Sequence, residues 1–217
     1  MKIEVLDKGW VRLVDMMGGD ARIVEMARST RPDARRVQTD EELLLEVIRD
    51  RHNAPIELGG EVHFEVYAPI MVRAQEFTYR HASKATASGR HTNQVDVYIP
   101  SIERLMAEGA DERYVKLYQK SFIADCKVRV SQYLSDIEYH IPRELARGDL
   151  PYSHVYSRWN WKFNFQTWLH ILEQRLHYKA QWETQEYARA LWTILVEKLP
   201  VTAEIFRLTN PGLEYER

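Results

Sequence analysis

The chain has 217 residues, 45% of them hydrophobic and 11% aromatic, enough apolar mass to close one core, so a single domain over 1–217 is expected. Its 30 lysines and arginines stand against 32 acidic residues, a formal net charge of −2, which excludes a general electrostatic attraction to nucleic acid or to an anionic membrane. No apolar run could span a bilayer, the opening MKIEVLDKGW lacks a signal-peptide core, and Cys126 is the lone cysteine; a cytoplasmic protein with no disulfide, metal, membrane or nucleic-acid partner is expected.

Lys2 to Leu6 and Trp10 to Met16 alternate as strands, joined at Lys8-Gly9 in a hairpin that ends in the Gly18-Gly19-Asp20 turn. Asp20 is placed to cap a helix over 21–28, followed by the polar loop STRPDARRVQ with Arg31, Arg35 and Arg36. Thr39-Asp40-Glu41-Glu42 is a capping box opening a helix whose apolar face holds Leu43, Leu44, Leu45, Val47 and Ile48. Val62, Phe64 and Val66 alternate with Glu61, His63 and Glu65, the period of a strand with one buried face. From Ala68 an amphipathic helix is expected to run straight into a polar, small-residue loop over 80–90. Val95, Val97 and Ile99 predict a short strand, and Ser101 a helix start. Val115, Tyr118, Phe122, Cys126, Val130, Tyr133 and Ile137 mark the buried side of a long helix over about 111–140, which makes Cys126 core rather than nucleophile. Trp159, Trp161 and Phe163 alternate in a strand that runs into Asn164. The next helix packs Leu169, Leu172 and Leu176 and carries Arg175 and Lys179 one turn apart on one side. A final helix over 181–198 stops ahead of Pro200, and Asn210-Pro211-Gly212 turns into a dispensable tail.

Between Arg80 and Arg90 lie Ser83, Ser88 and Gly89. Hydroxyl donors, backbone N–H groups freed by glycine and bidentate arginine suit a phosphate, and Ala85 and Ala87 let a ligand approach the backbone. Taken alone, S-x-x-x-x-S-G-R is also the composition of a solvated surface loop, and a lone Arg175/Lys179 pair that of a solvated helix face.

The stretch APIMVRAQEFTYRHASKATASGRH resembles the signature of the flavin-dependent thymidylate synthases, R-H-R-x-x-S-x-N-x-x-S-x-R-Y behind an API strand end. Ala68, Pro69, Ile70, Gln75, Arg80, Ser83, Ser88, Gly89 and Arg90 fall in register without a gap. Thr78 and Tyr79 stand for the first Arg and the His, Ala85 for the Asn, His91 for the final Tyr and Thr86 for a frequent acid. His52 to Glu57 is similar to the family's H-x-x-P-x-E-H element, with Leu58 in place of the second His. Ile141 to Arg147 resembles P-R-E-x-A-R, and Lys179 to Glu183 resembles H-A-Q-x-E with Lys179 in place of the His.

The resemblance implies an α/β fold with an antiparallel-rich sheet and long helices, assembled as a homotetramer whose sites draw on several subunits. It implies FAD as cofactor, NADPH and methylenetetrahydrofolate as co-substrates, and reductive C5-methylation of a uracil nucleotide. Gln75, Thr86, Ser88, Gly89, Arg90, Arg147 and Arg175 would then meet the nucleotide, Ser88 and Arg175 in catalytic roles. Thr30, Glu57, Thr78, Tyr79, Arg80, Asn164, Gln166, His170 and Lys179 would meet the flavin. Three outcomes stand open: dUMP converted to dTMP; UMP converted to 5-methyl-UMP, as in the branch of the family serving polyoxin-type nucleoside-antibiotic biosynthesis; or a non-catalytic flavin- or nucleotide-binding protein that retains the fold. Ala85 and Thr86 bear on the second, because they are smaller than the usual Asn and acid and leave room for a 2′-hydroxyl.

Overall fold

The computed structural model describes residues 1–30, 38–93 and 95–216. Its sheet has five strands, β1 (Lys2–Val5), β2 (Gly9–Gly18), β3 (Gly60–Pro69), β4 (Ala82–Thr86) and β5 (Tyr156–Asn164), in the order β1-β2-β3-β5-β4. Every neighbouring pair is antiparallel. Register explains the core: Val62 lies opposite Phe163, Phe64 opposite Trp161 and Val66 opposite Trp159. Directly opposed residues share a face, so two alternating strands add up to one apolar surface.

Among the described residues the helices are α1 (Asp20–Ser29), α2 (Asp40–Arg49), α3 (Asn53–Gly59), α4 (Ile70–Glu76), α5 (Ile102–Met106), α6 (Glu112–Glu138), α7 (Arg143–Ala146), α8 (Phe165–Arg175), α9 (Trp182–Lys198) and α10 (Pro200–Thr209). The apolar sheet face packs on α8 and α9; Phe64 meets Trp168 edge-on at 5.1 Å between ring centroids, and Trp159, Trp161 and Trp168 are buried. The turn from β2 into α1 needs glycine: Gly18 has φ 94°, and a Cβ there would lie 1.9 Å from the Gly59 carbonyl oxygen. The expected capping box is present on α2, where the Thr39 hydroxyl accepts from the Glu42 N–H at 3.2 Å and the Glu42 carboxylate from the Thr39 N–H at 2.8 Å.

A second, smaller core lies between α6 and the start of α4, around Ile70, Val97, Cys126, Tyr133 and Val155. Burial raises the Cys126 thiol above its ordinary value. Val115, Cys126 and Tyr133 are the fully buried residues of α6, whereas Tyr118, expected on that side, is exposed, as are Tyr114, Leu117 and Val128. No helix among the described residues is long and apolar enough to cross a membrane.

Several sequence expectations are corrected. The helix after β3 ends at Glu76, and residues 82–86, expected in a loop, form edge strand β4 against β5. Without β4 the polar backbone of one side of the aromatic-rich β5 would stay unpaired. The strand expected at 95–99 reduces to one bridge, Val97 to Val155. Asp20 does not cap α1, whose N-cap is Gly19; its carboxylate accepts instead from the Val201 and Thr202 N–H groups at 3.0 and 3.1 Å. That contact starts α10, a helix the sequence reading missed by treating Pro200 as a stop; proline at the first helical position is well suited there because its missing N–H is not required. The tail is not dispensable either: Tyr215 packs on Trp192 with ring centroids 4.5 Å apart. Arg31, Arg35 and Arg36 of the polar loop after α1 lie outside the described residues.

Candidate active site

Arg175 is the last residue of α8, where the helix delivers it to the end of α4. Its guanidinium donates to the Gln75 carbonyl at 2.9 Å and to the Thr78 hydroxyl at 3.3 Å, and its carbon lies 5.2 Å from the Tyr79 ring centroid. The Arg175 Nε and the Tyr79 hydroxyl are buried without a hydrogen-bond partner. Burial, then the Glu76 carboxyl, raises the Tyr79 phenol, so it stays a neutral donor. Tyr79 also meets His170 in a T-shaped contact, ring centroids 5.8 Å apart. Arg175, Gln75, Thr78, Tyr79 and His170 are thus one cluster.

Two members of that cluster line neighbouring clefts, His170 the first and Arg175 the second. One, of about 490 Å³, is lined by Arg49, Arg51, Asn53, Gln166, His170 and Glu173 together with α10. A second, of about 790 Å³, holds Glu173, Arg175, Tyr178, Lys179 and Leu213, and shares Glu173 and Asn210 with the first. A third, of about 350 Å³, is lined by Thr30, Arg51, His52 and Asn53 and shares Arg51 and Asn53 with the first. The three clefts form a trough from Thr30 to Lys179. Arg51 reaches it from the left-handed conformation, φ 57°, that closes α2, and donates to Glu173 at 2.9 Å. The Gln166 side-chain oxygen is buried with no partner. Arg49, Arg51 and Asn53 were not singled out from sequence; two arginines in a helix's last turns look like ordinary dipole partners.

Other expected flavin residues lie differently. Asn164 caps α8, its side chain accepting from the Thr167 N–H at 2.8 Å. The Thr30 hydroxyl donates to the Ala27 carbonyl at 2.8 Å. Glu57 on α3 and Arg80 before β4 are exposed and line none of these clefts. Lys179 is not one helical turn beyond Arg175, because α8 ends there; it sits in the following turn with its ammonium 5.5 Å from the Tyr178 ring centroid.

The residues expected to meet the nucleotide's phosphate form a separate group. After Thr86, the last residue of β4, the Ser88 carbonyl accepts from His91 and Thr92 N–H groups at 3.1 and 3.2 Å, and its hydroxyl accepts from the Arg90 N–H at 3.3 Å. Gly89 is buried within this tight turn. Arg90 pairs with Glu144 of α7 at 3.6 Å, and Arg143 donates to Asn93; Arg147 ends α7. Among the described residues no hydrogen bond or ion pair joins this group to Arg175.

One residue missed from sequence is the last of α4. Glu76 is 1% exposed, with neither carboxylate oxygen hydrogen-bonded. Burial pushes its carboxyl up to about 8, opposed by Arg175 and Lys84. The signal was available: Glu76 falls four residues after buried Val72, on the inward side of the helix.

The family model for thymidylate synthase complementing protein matches residues 12–201. A flavin-dependent thymidylate synthase from Thermotoga neapolitana is 36% identical over 213 residues, covering 95% of this chain and 94% of the relative. An enzyme of the same description from Thermus thermophilus is 36% identical over 217 residues, covering 95% and 78%. Among solved structures, the UMP/dUMP methylase PolB from Streptomyces cacaoi bound with 5-Br UMP superposes with a TM-score of 0.84 at 26% identity, covering 96% of this chain and 98% of that one; its complex with 5-Br dUMP gives 0.82. A family model matching residues 12–201, relatives 36% identical over 95% of the chain and the strand-to-arginine loop in register agree: this chain belongs to the flavin-dependent thymidylate synthase family.

Proposed function

We propose that this chain, acting as one domain over 1–217, catalyses flavin-dependent reductive methylation of a uracil nucleotide at C5, accepting UMP as well as dUMP. Methylenetetrahydrofolate is the carbon donor and NADPH the reductant, which fits a cytoplasmic enzyme. The observation that carries this reading is Arg175, a permanent cation held in place by the Gln75 carbonyl and the Thr78 hydroxyl at the head of the trough. A cation fixed before the substrate arrives needs no reorganisation to stabilise the negative charge that develops on the uracil carbonyl edge as C5 becomes nucleophilic. Cys126, buried in the α6 core, has no part in it.

The phosphate is assigned to Ser88, Gly89, Arg90 and Arg147, whose charge-assisted contacts are worth about 1.5–3 kcal/mol each. Gln75 flanks the base, and Ser88 acts in catalysis by fixing the nucleotide's reach toward Arg175. Ala85 and Thr86, both exposed on the edge strand, leave the sugar side open to a 2′-hydroxyl.

The trough fits FAD. The unpartnered Gln166 amide suits the polar edge of a flavin ring, and Arg49 and Arg51 suit a pyrophosphate. Thr30, His170 and Lys179 line the same trough, and Thr78 and Tyr79 stand beside it against Arg175. Bound there, FAD supplies the hydride that completes the methyl group. Tyr79 offers the base or ring an aromatic wall, and the buried Trp161 behind it keeps that wall rigid.

Among the described residues no hydrogen bond or ion pair joins the Ser88–Arg90 turn to Arg175, and α6 leaves Tyr114, Leu117 and Val128 exposed. Both features support a homotetramer in which one subunit's Ser88–Arg90 turn meets another's Arg175. The test is mass spectrometry of products after incubating the protein with FAD, NADPH, methylenetetrahydrofolate and equimolar dUMP and UMP. Methylation of both nucleotides is expected. Flavin reduction with no methylated product would overturn the proposal in favour of a non-catalytic nucleotide-binding protein.

A further inference from the structure

Resting on the assignment of Arg175 to the uracil edge, we propose that Glu76 is a positioning residue that sets the effective charge of Arg175 and links nucleotide binding to proton uptake. The geometry is that of a buried acid without a hydrogen-bond partner, within the electrostatic reach of two cations. Glu76 lies on the inward side of α4, and both its oxygens lack a hydrogen-bond partner. The charged groups facing it are Arg175 from α8 and Lys84 from β4, with the Tyr79 phenol from the segment between α4 and β4. Lys84 is fixed there by the Phe77 carbonyl at 3.0 Å and the Tyr79 carbonyl. Arg175 is fixed by the residue before Glu76 through the Gln75 carbonyl.

Two cations against one acid give two charge states. With the acid protonated, Arg175 and Lys84 present two uncompensated positive charges; with it ionised, one of them is neutralised from behind. An anionic nucleotide, or a uracil edge accepting from Arg175, prefers the first state and must raise the proton affinity of Glu76 on binding. The titration falls in a usable range, since the carboxyl sits at about 8. The sign follows: affinity is full below that value and is lost as pH rises through it.

The experiment is calorimetric titration of dUMP or UMP into the FAD-loaded protein between pH 7 and pH 9. If the bound state keeps its proton, affinity at pH 9 is about tenfold weaker than at pH 7, because the acid is about nine-tenths ionised at one and one-tenth at the other. Glu76→Gln flattens this profile down to the part owed to the uracil's own deprotonation. In wild-type protein at pH 8, buffers of different ionisation enthalpy report uptake of about half a proton per nucleotide. This measurement stands even where the Gln variant fails to fold. A profile unchanged in Glu76→Gln, or no proton uptake by wild type, overturns the inference. Loss of binding in Arg175→Ala with no proton linkage in wild type defeats Glu76 alone. Binding that survives Arg175→Ala defeats the uracil-edge assignment and this inference with it.

Discussion

Replacing Asp20 with alanine tests how the two ends of the chain hold the trough together. The Asp20 carboxylate accepts from the Val201 N–H at 3.0 Å, the Thr202 N–H at 3.1 Å and the Thr202 hydroxyl at 2.5 Å. It therefore does for α10 what an N-cap side chain does, from 181 residues away in sequence. Loss of a helix cap costs about 1–2 kcal/mol. Thr202 is fully buried, and leaving its hydroxyl without an acceptor adds about 1–3 kcal/mol. The two overlap, so about 3 kcal/mol is expected, a fall in Tm of roughly 6–12 °C for a domain of this size. Asp20→Asn keeps one acceptor oxygen and should lose about half as much. Scanning calorimetry measures both shifts, and flavin content after gel filtration reports on the trough, because Phe206 and Thr209 of α10 and Asn210 just after it line it. An alanine variant within about 2 °C of wild type would show that the cap contributes little and that α10 is held by its apolar face alone.

Other substitutions separate chemistry from scaffold. Arg175→Ala should lower kcat/KM for the nucleotide by about 10²–10³ while flavin remains bound, as expected for a lost preorganised donor; a loss under fivefold in steady-state assays would remove Arg175 from that role. Thr86→Glu should reduce turnover of UMP more than of dUMP, and equal loss on both, measured by competitive product analysis, would exclude the sugar-pocket argument. Cys126→Ala should cost about 1 kcal/mol through a small cavity yet leave methylation within about twofold, and abolished turnover in a folded variant would reinstate a thiol mechanism.

Periodicity made most of the fold legible before any coordinates. The alternation at Val62–Val66 and Trp159–Phe163, the capping box at Thr39 and the spacing along α6 each encode one element through purely local chemistry. The misreadings share a cause: each depends on a partner far away in sequence. Residues 82–86 are too small and polar to announce a strand, and become one because β5 offers an unpaired edge. Asp20 satisfies a local capping pattern, but its real acceptor role lies at Val201 and Thr202. In the site, Arg175 was legible through its place in a motif, whereas Glu76 was passed over because an acid beside Gln75 looks like ordinary helix surface. Packing of α4 against β3, β5 and α9 is what removes it from water.

The contacts made by the last few residues bear on how lesions in this chain would present. The Glu214 N–H donates to the Leu176 carbonyl at 2.9 Å, Arg189 pairs with the Glu214 carboxylate at 3.2 Å, and Leu213 lines the same cleft as Arg175. The carbonyl so satisfied belongs to the residue immediately after Arg175, at the helix end where intrahelical partners run out. A nonsense allele at Gly212 would spare every strand and helix and still free the backbone that aims the site's central cation. With Arg175 in the role proposed for it, such an allele would score genetically as a lesion of the active site rather than as a harmless truncation.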